Sequence, residues 1–360
     1  MQRMLFHGRL ERNWVRIWIT GWLICKAGYA LVRELGLKSV GAFLVGYLFV
    51  APCIEVWHAD EIMNRLVPEV IEHFNIRADK RVERLGNRLL SAAGLAGGSV
   101  VFGLGDVTDS YYNAYFVWPN HIGVTESVLE DASEAEVLGV LAHEIGHLQL
   151  ANEPMIRRAR FFVRALSLRL GFMGQWVESV PQTETLLKKC ERYVWGLMSR
   201  MLENQADQRG FDLLVRSRQP IAGPALFFHR EMGSESERTL DEELMDTHPS
   251  RKTRFIKAVN RMEAVANYQV RVKGAKIYVR DKLFVQVDTG SDYESERLAL
   301  ITAGNLIMAI GGNTVELRPE FKEPLIMRSP CSNDQTAMQE RINIKKIDIC
   351  LSRMEFSAGF

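Results

Sequence analysis

The chain of 360 residues lacks a cysteine framework: Cys25, Cys53, Cys190, Cys331 and Cys350 are odd in number, widely scattered, and form no C-x-x-C pair. That argues against a disulfide scaffold and a thiolate zinc site, and leaves the cysteines as small buried residues. A charge bias is missing too, since 45 basic and 44 acidic residues leave a net charge of +1. Nothing in that balance points to an acidic partner, and no nucleic-acid partner is expected. There are no internal repeats and no low-complexity linkers. What remains is an ordinary globular composition, 47% hydrophobic and 25% charged, long enough for two or three domains with at least one large core.

Nor is there an apolar run of full bilayer length. The uncharged stretch between Lys38 and Glu55 falls slightly short of the ~17–25 residues of a spanning helix. The stretch from Trp14 to Val32 is rich in Trp, Ile and Leu but carries Arg16 and Lys26. Together they allow a membrane hairpin, a single span, or two core helices. Arg3, Arg9, Arg12, Arg16, Arg33 and Lys38 lie on the N-terminal side, and Glu55, Asp60 and Glu61 follow. For a single span this bias puts the remainder of the chain outside the cytoplasm, whereas a hairpin returns it. No small-residue cleavage site of the A-x-A type follows, so a cleaved signal peptide is not expected. Membrane association through residues 14–57 is the expectation, at a bacterial inner membrane or in the periplasm, with the cytoplasmic face as the alternative.

Further along, Ala59 to Leu90 reads as helical, with Pro68 as an interruption or a start. Glycines at 94, 97, 98, 103 and 105 mark a change to short strands. Tyr111 to Trp118 and His121 to Val124 read as extended. Two capping boxes follow, Ser127 with Glu130 and Ser133 with Glu136, the second opening a helix from about Glu134 to Leu150. Pro154 to Arg200 is helical and amphipathic, and its arginines argue against a span. The stripe Phe161, Phe162, Leu166 and Leu170 within it reads as core packing, with a membrane surface as the rival. Another helix covers roughly Tyr193 to Val215, and Gly233 to Glu243 is a polar loop. After Asn267 the pattern becomes strands over Val270 to Val287, a helix over Ser295 to Ile310, and a strand over Asn313 to Leu317.

The residues with the most chemistry lie in the Glu134–Leu150 helix, as H-E-I-G-H. An α-helix advances 3.6 residues per turn, so His143 and His147 share a face and can both reach one zinc ion. Glu144 then stands beside the metal, placed to take a proton from the attacking water. H-E-x-x-H also occurs by chance on unrelated helices. Here Gly146 permits close packing, the flanking V-L-G-V-L-A is apolar, and the capping box fixes the start. A catalytic zinc needs a third protein ligand. In E-N-Q-A-D, Glu203 and Asp207 stand four apart on one helix face, so Glu203 can bind the metal while Asp207 hydrogen-bonds a ligand histidine. Taken alone, such a pair is usually a solvated face.

The ordered set N-A-Y (Asn113 to Tyr115), H-E-I-G-H, E-N-Q-A-D-Q-R-G and D-T-H-P-S-R-K-T-R resembles the gluzincin peptidases related to HtpX and the CAAX prenyl proteases. The resemblance spans about residues 60 to 265. It implies one Zn2+ per chain held by His143, His147 and Glu203, with Glu144 as general base. It further implies that His248 stabilises the oxyanion and that Asn113 belongs to an edge strand pairing with an extended substrate. The competing accounts are a helix start in T-H-P-S, with Pro249 first in the helix, and an ordinary strand-turn asparagine. Integral-membrane members carry spans between the second histidine and the glutamate ligand. This chain has an arginine-rich amphipathic stretch there.

The expected fold class is α+β, a mainly helical zincin-type metallopeptidase domain with a small sheet, plus a small C-terminal α+β domain. The expected division is 1–58 apolar segment, 59–267 peptidase and 268–360 C-terminal domain. The expected function is a zinc metalloendopeptidase acting on protein or peptide substrates, in membrane-associated protein quality control. Rival readings are a hydrolase of non-peptide amides and a latent zinc-site protein serving as a chaperone or binding module. The C-terminal domain reads as a structural or substrate-binding module. The sharper alternative is a second activity, such as a small toxin-like nuclease, with Glu296, Glu316 and Arg318 as polar candidates.

Overall fold

A computed structural model describes residues 46–50, 74–105, 113–176, 181–232, 239, 245–311, 314–316, 325–328 and 355–357. After a π-helical turn at Gly46–Val50 come β1 (Arg77–Ala78), α1 (Lys80–Leu90), β2 (Val101–Leu104), β3 (Ala114–Val117) and β4 (His121–Val124). Six helices follow: α2 (Glu126–Asp131), α3 (Glu134–Asn152), α4 (Pro154–Trp176), α5 (Pro181–Arg216), α6 (Gly223–Met232) and α7 (Arg251–Val265). The remainder is β5 (Val270–Lys273), β6 (Lys276–Val279), β7 (Lys282–Asp288), α8 (Asp292–Ile310), β8 (Thr314–Glu316), β9 (Leu325–Arg328) and β10 (Glu355–Ser357). A mostly helical body with small sheets matches the expected α+β class.

The first sheet has the order β1-β2-β4-β3, with β2 and β4 parallel and the other pairs antiparallel. Among the described residues, that leaves β3 at an edge. The second sheet, β5-β6-β7-β9, precedes and follows α8 in sequence.

The H-E-I-G-H helix α3 is the centre of the molecule. Its buried residues fall on every side, including Val137, Leu138, Leu141 and Ile145 at zero exposure. Each such side chain contributes about 1.5–3 kcal/mol of burial. The Ser133–Glu136 capping box is present as expected. The earlier one is not: Thr125 precedes α2 as its N-cap, and Ser127 lies inside the helix with its Oγ 3.1 Å from Thr125 Oγ1.

Glu136 does more than cap. It is completely buried, and both its oxygens accept from Arg297 of α8 (3.1 Å each) and from Arg230 of α6 (2.9 and 3.2 Å). Burial alone would raise its carboxyl, but hydrogen bonds from Arg297 and Arg230 outweigh that and hold it at about 2. One apolar cluster runs from Val82 through α3 and α6 to Val270, Ile277, Ala303 and Ile310, so the buried core continues across residue 267.

The stretch read as helical over Pro154 to Arg200 is divided between α4 and α5, and α5 continues without a break through the helix read over Tyr193 to Val215. In α4 the packed face is Ile156 and Val163, which meet Leu150, Met198, Leu202 and Ala206. Phe161, Phe162 and Leu166 are half-buried, and the side chain of Leu170 lies outside the described residues. Among the described residues, no helix is long and apolar enough to cross a membrane. Most of the apolar N-terminal segment, the 233–244 loop apart from residue 239, and Arg318 lie outside the described residues.

Candidate metal centre

Two helices build the site because both are notched where they meet. A Cβ on Gly146 of α3 would fall 2.6 Å from the Ala206 carbonyl oxygen, and one on Gly210 of α5 would fall 2.8 Å from Ala142. The backbones therefore approach too closely for any side chain between them. That contact brings Glu203 and Asp207, one turn apart on α5, under His143 and His147, one turn apart on α3.

The donor atoms converge. His143 Nε2 and His147 Nε2 are 3.1 Å apart, His147 Nε2 lies 3.2 Å from Glu203 Oε1, and His143 Nε2 lies 3.4 Å from Glu203 Oε2. Bonds of about 2.0–2.1 Å to a tetrahedral metal require ligand separations near ~3.3 Å. His143, His147 and Glu203 form the one group of metal-ligating side chains found among the described residues. Glu203 Oε2 is buried and has no hydrogen bond of acceptable geometry, although charged groups surround it. A buried carboxylate oxygen in that condition fits a cation. The donor set, two imidazoles and one carboxylate, is zinc chemistry.

Asp207 Oδ1 accepts from His143 Nδ1 at 2.9 Å, which turns Nε2 toward the convergence point. Glu144 is buried, with Oε1 4.0 Å from His143 Nε2. His248 Nδ1 stands 3.2 Å from Glu203 Oε2, and its side chain is 59% exposed. It precedes α7 without belonging to it. Ser250 is the N-cap and Arg251 the first helical residue, so Pro249 lies outside the helix rather than first in it. Asn113 sits just before β3, where its Oδ1 accepts from Ala114 N (2.9 Å) and its own N–H donates to Thr125 Oγ1 (3.0 Å). It is exposed.

Arg254, the last residue of D-T-H-P-S-R-K-T-R, has a role in the site that the sequence alone does not disclose. Its guanidinium meets Asp207 through Nη2 (2.6 Å) and Nε (3.1 Å), reaches Glu203 Oε2 at 3.2 Å, and lies 4.4 Å over the Phe228 ring. Nδ1 of His143 is committed as a donor to Asp207, so its 3.2 Å approach to Arg254 is packing. The available signal was spacing: Arg254 is one turn into α7, six residues past His248.

The charges reinforce one another. Burial would raise Glu203 and Asp207, yet Arg254 first, then His143, hold both well below the usual carboxylate range. Burial and Arg254 disfavour the His143 cation, but hydrogen bonds to Asp207 and Glu203 prevail and raise it to about 10. A doubly charged metal would displace that proton. In the tail, Glu296 is not isolated, because its Oε2 lies 2.8 Å from Nε2 of the buried His229.

A helix-borne H-E-x-x-H facing a carboxylate from a second helix defines a class, the metallopeptidases with two histidine ligands and one glutamate. The family model for peptidase family M48 matches residues 77–263. The chain belongs to that family, the zinc metallopeptidases of the HtpX and CAAX-protease type. No curated protein and no solved structure matches it. The β5–β7 hairpins and α8 lie beyond the matched residues.

Proposed function

We propose that the chain is a zinc-dependent metalloendopeptidase in which His143, His147 and Glu203 hold one zinc ion. The observation that carries this is the set of 3.1, 3.2 and 3.4 Å separations among their donor atoms, with Glu144 alongside. Bound there, zinc would polarise the scissile carbonyl and acidify the attacking water. Glu144 accepts the proton of that water and returns it to the leaving amine. His248 donates to the carbonyl oxygen as negative charge develops on it. Asp207 and Arg254 fix the His143 ring. The edge of β3, which Asn113 immediately precedes, aligns an extended peptide by backbone pairing.

The apolar composition of residues 14–57 supports attachment to a membrane, and quality control of proteins there is the cellular role we assign. The reading is tested by digesting casein and identifying the products by mass spectrometry. Internal cleavages that stop with a zinc chelator and return with zinc support it. Cleavage indifferent to chelation refutes it.

A further inference from the structure

The sheet β5-β6-β7-β9 lies beyond the residues that the M48 family model matches, and its two faces differ. On one face α8 packs across β5, β6 and β7, over Val270, Val272, Ile277, Val279, Val285 and Val287. Side chains alternate across a strand. The other face therefore carries Arg271 and Lys273 of β5, Lys276 and Tyr278 of β6, and Leu283 and Gln286 of β7. Its three cations are exposed. Register sets Lys273 directly opposite Lys276, and Arg271 opposite Tyr278. Arg280 and Lys282 extend the charge at the turn between β6 and β7, so residues 270–282 hold five basic residues and one acidic, Asp281.

Like charges directly opposite each other destabilise a sheet. The surrounding carboxylates do little to offset them. Asp281, 84% exposed, meets Arg271 at 3.4 Å, a solvated pair that contributes little. Glu263 is buried behind β5 and accepts from Val272 N at 2.8 Å. Asp288, at the end of β7, accepts from Gly290 N, and Glu296, beside the β5–β6 turn, is engaged by His229. Among the described residues, the side chains of Lys273, Lys276, Arg280 and Lys282 make no hydrogen bond or ion pair.

We propose that this exposed sheet face docks on a bilayer bearing anionic headgroups. The face itself disfavours two polymeric anions. A nucleic-acid strand stacks its bases on several aromatic rings, and Tyr278 is the one aromatic side chain on this face among the described residues. An extended acidic peptide adds as a strand to a free sheet edge, but Glu263 already holds Val272 N at the edge of β5. A planar bilayer needs neither rings nor a free edge. A marginal apolar anchor becomes a firm one when a basic patch faces anionic lipid. The proposal rests on the attachment assigned above to residues 14–57, to which it adds that second signal, and it is independent of the metal centre.

The test is co-sedimentation of the full chain with vesicles of phosphatidylcholine alone and with about a third phosphatidylglycerol. The expected result is that the anionic vesicles bind about tenfold or more tightly, with the difference shrinking as salt rises. Lys273→Gln combined with Lys276→Gln removes most of that preference and leaves casein cleavage unchanged. Lys80→Gln combined with Arg84→Gln, exposed on α1, makes the same change in net charge and keeps the preference. A preference that survives the sheet variant, or falls equally in the α1 variant, overturns the proposal. So does retention of polyglutamate or a single-stranded oligonucleotide through the same lysines without any preference between vesicles. Equal binding to both vesicles also overturns it, while the attachment through residues 14–57 stands. Binding to neither removes both.

Discussion

Replacing Glu136 by Gln isolates the contact that fastens the motif helix to the rest of the molecule. The side chain keeps its shape, but the charge that two arginines share is gone. A carboxyl held at about 2 instead of its ordinary 4.5 represents about 3 kcal/mol of stability at neutral pH. Arg297, with a side chain only 9% exposed, is left without its counter-charge, which carries the expected loss to about 3–5 kcal/mol. The folded carboxyl is depressed, so this stability is complete above pH 4.5 and disappears as pH falls through about 2. Urea unfolding of wild type and variant at pH 7 and pH 3 measures both features. The gap should narrow to roughly half at pH 3. A variant as stable as wild type at pH 7, or a gap indifferent to pH, would refute the reasoning.

Asp207→Asn keeps the shape beside His143 but weakens the acceptor that orients it, so zinc affinity measured by chelator competition should fall about 10–100-fold. Gly146→Ala forces a methyl against the Ala206 carbonyl, 2.6 Å from where it must sit, and should cost about 1–3 kcal/mol in denaturant titration together with lost zinc. His248→Ala should lower kcat by about 10²–10³ with little change in KM, because the missing donor acts in the transition state. Chelated protein reloaded with zinc at pH 8 should release about one proton per zinc to a pH indicator, since His143 holds its proton up to about 10.

The metal-ligand pattern was legible because helical periodicity is local. Two histidines four apart must share a face, as must Glu203 and Asp207, and the Ser133–Glu136 cap needs only the residues it contains. Which helices meet is not local. Arg254 reads as one more charge on a solvated helix until Asp207, 47 residues earlier, is placed beneath it. Arg297 is 161 residues from the carboxylate it neutralises. Nothing near either partner marks the pair. The apolar cluster that runs across residue 267 is likewise assembled from residues distant in sequence. The misread capping box at Ser127 was a competition between neighbours, which Thr125 won.

The central claim is most directly tested by zinc content and peptide cleavage of the wild type beside Glu144→Gln. Glu144 contributes no ligand atom to the His143–His147–Glu203 group. Both proteins should therefore bind about one zinc, and only the wild type should cleave. A wild type that binds no zinc, or a Glu144→Gln variant that cleaves at the wild-type rate, would contradict the account.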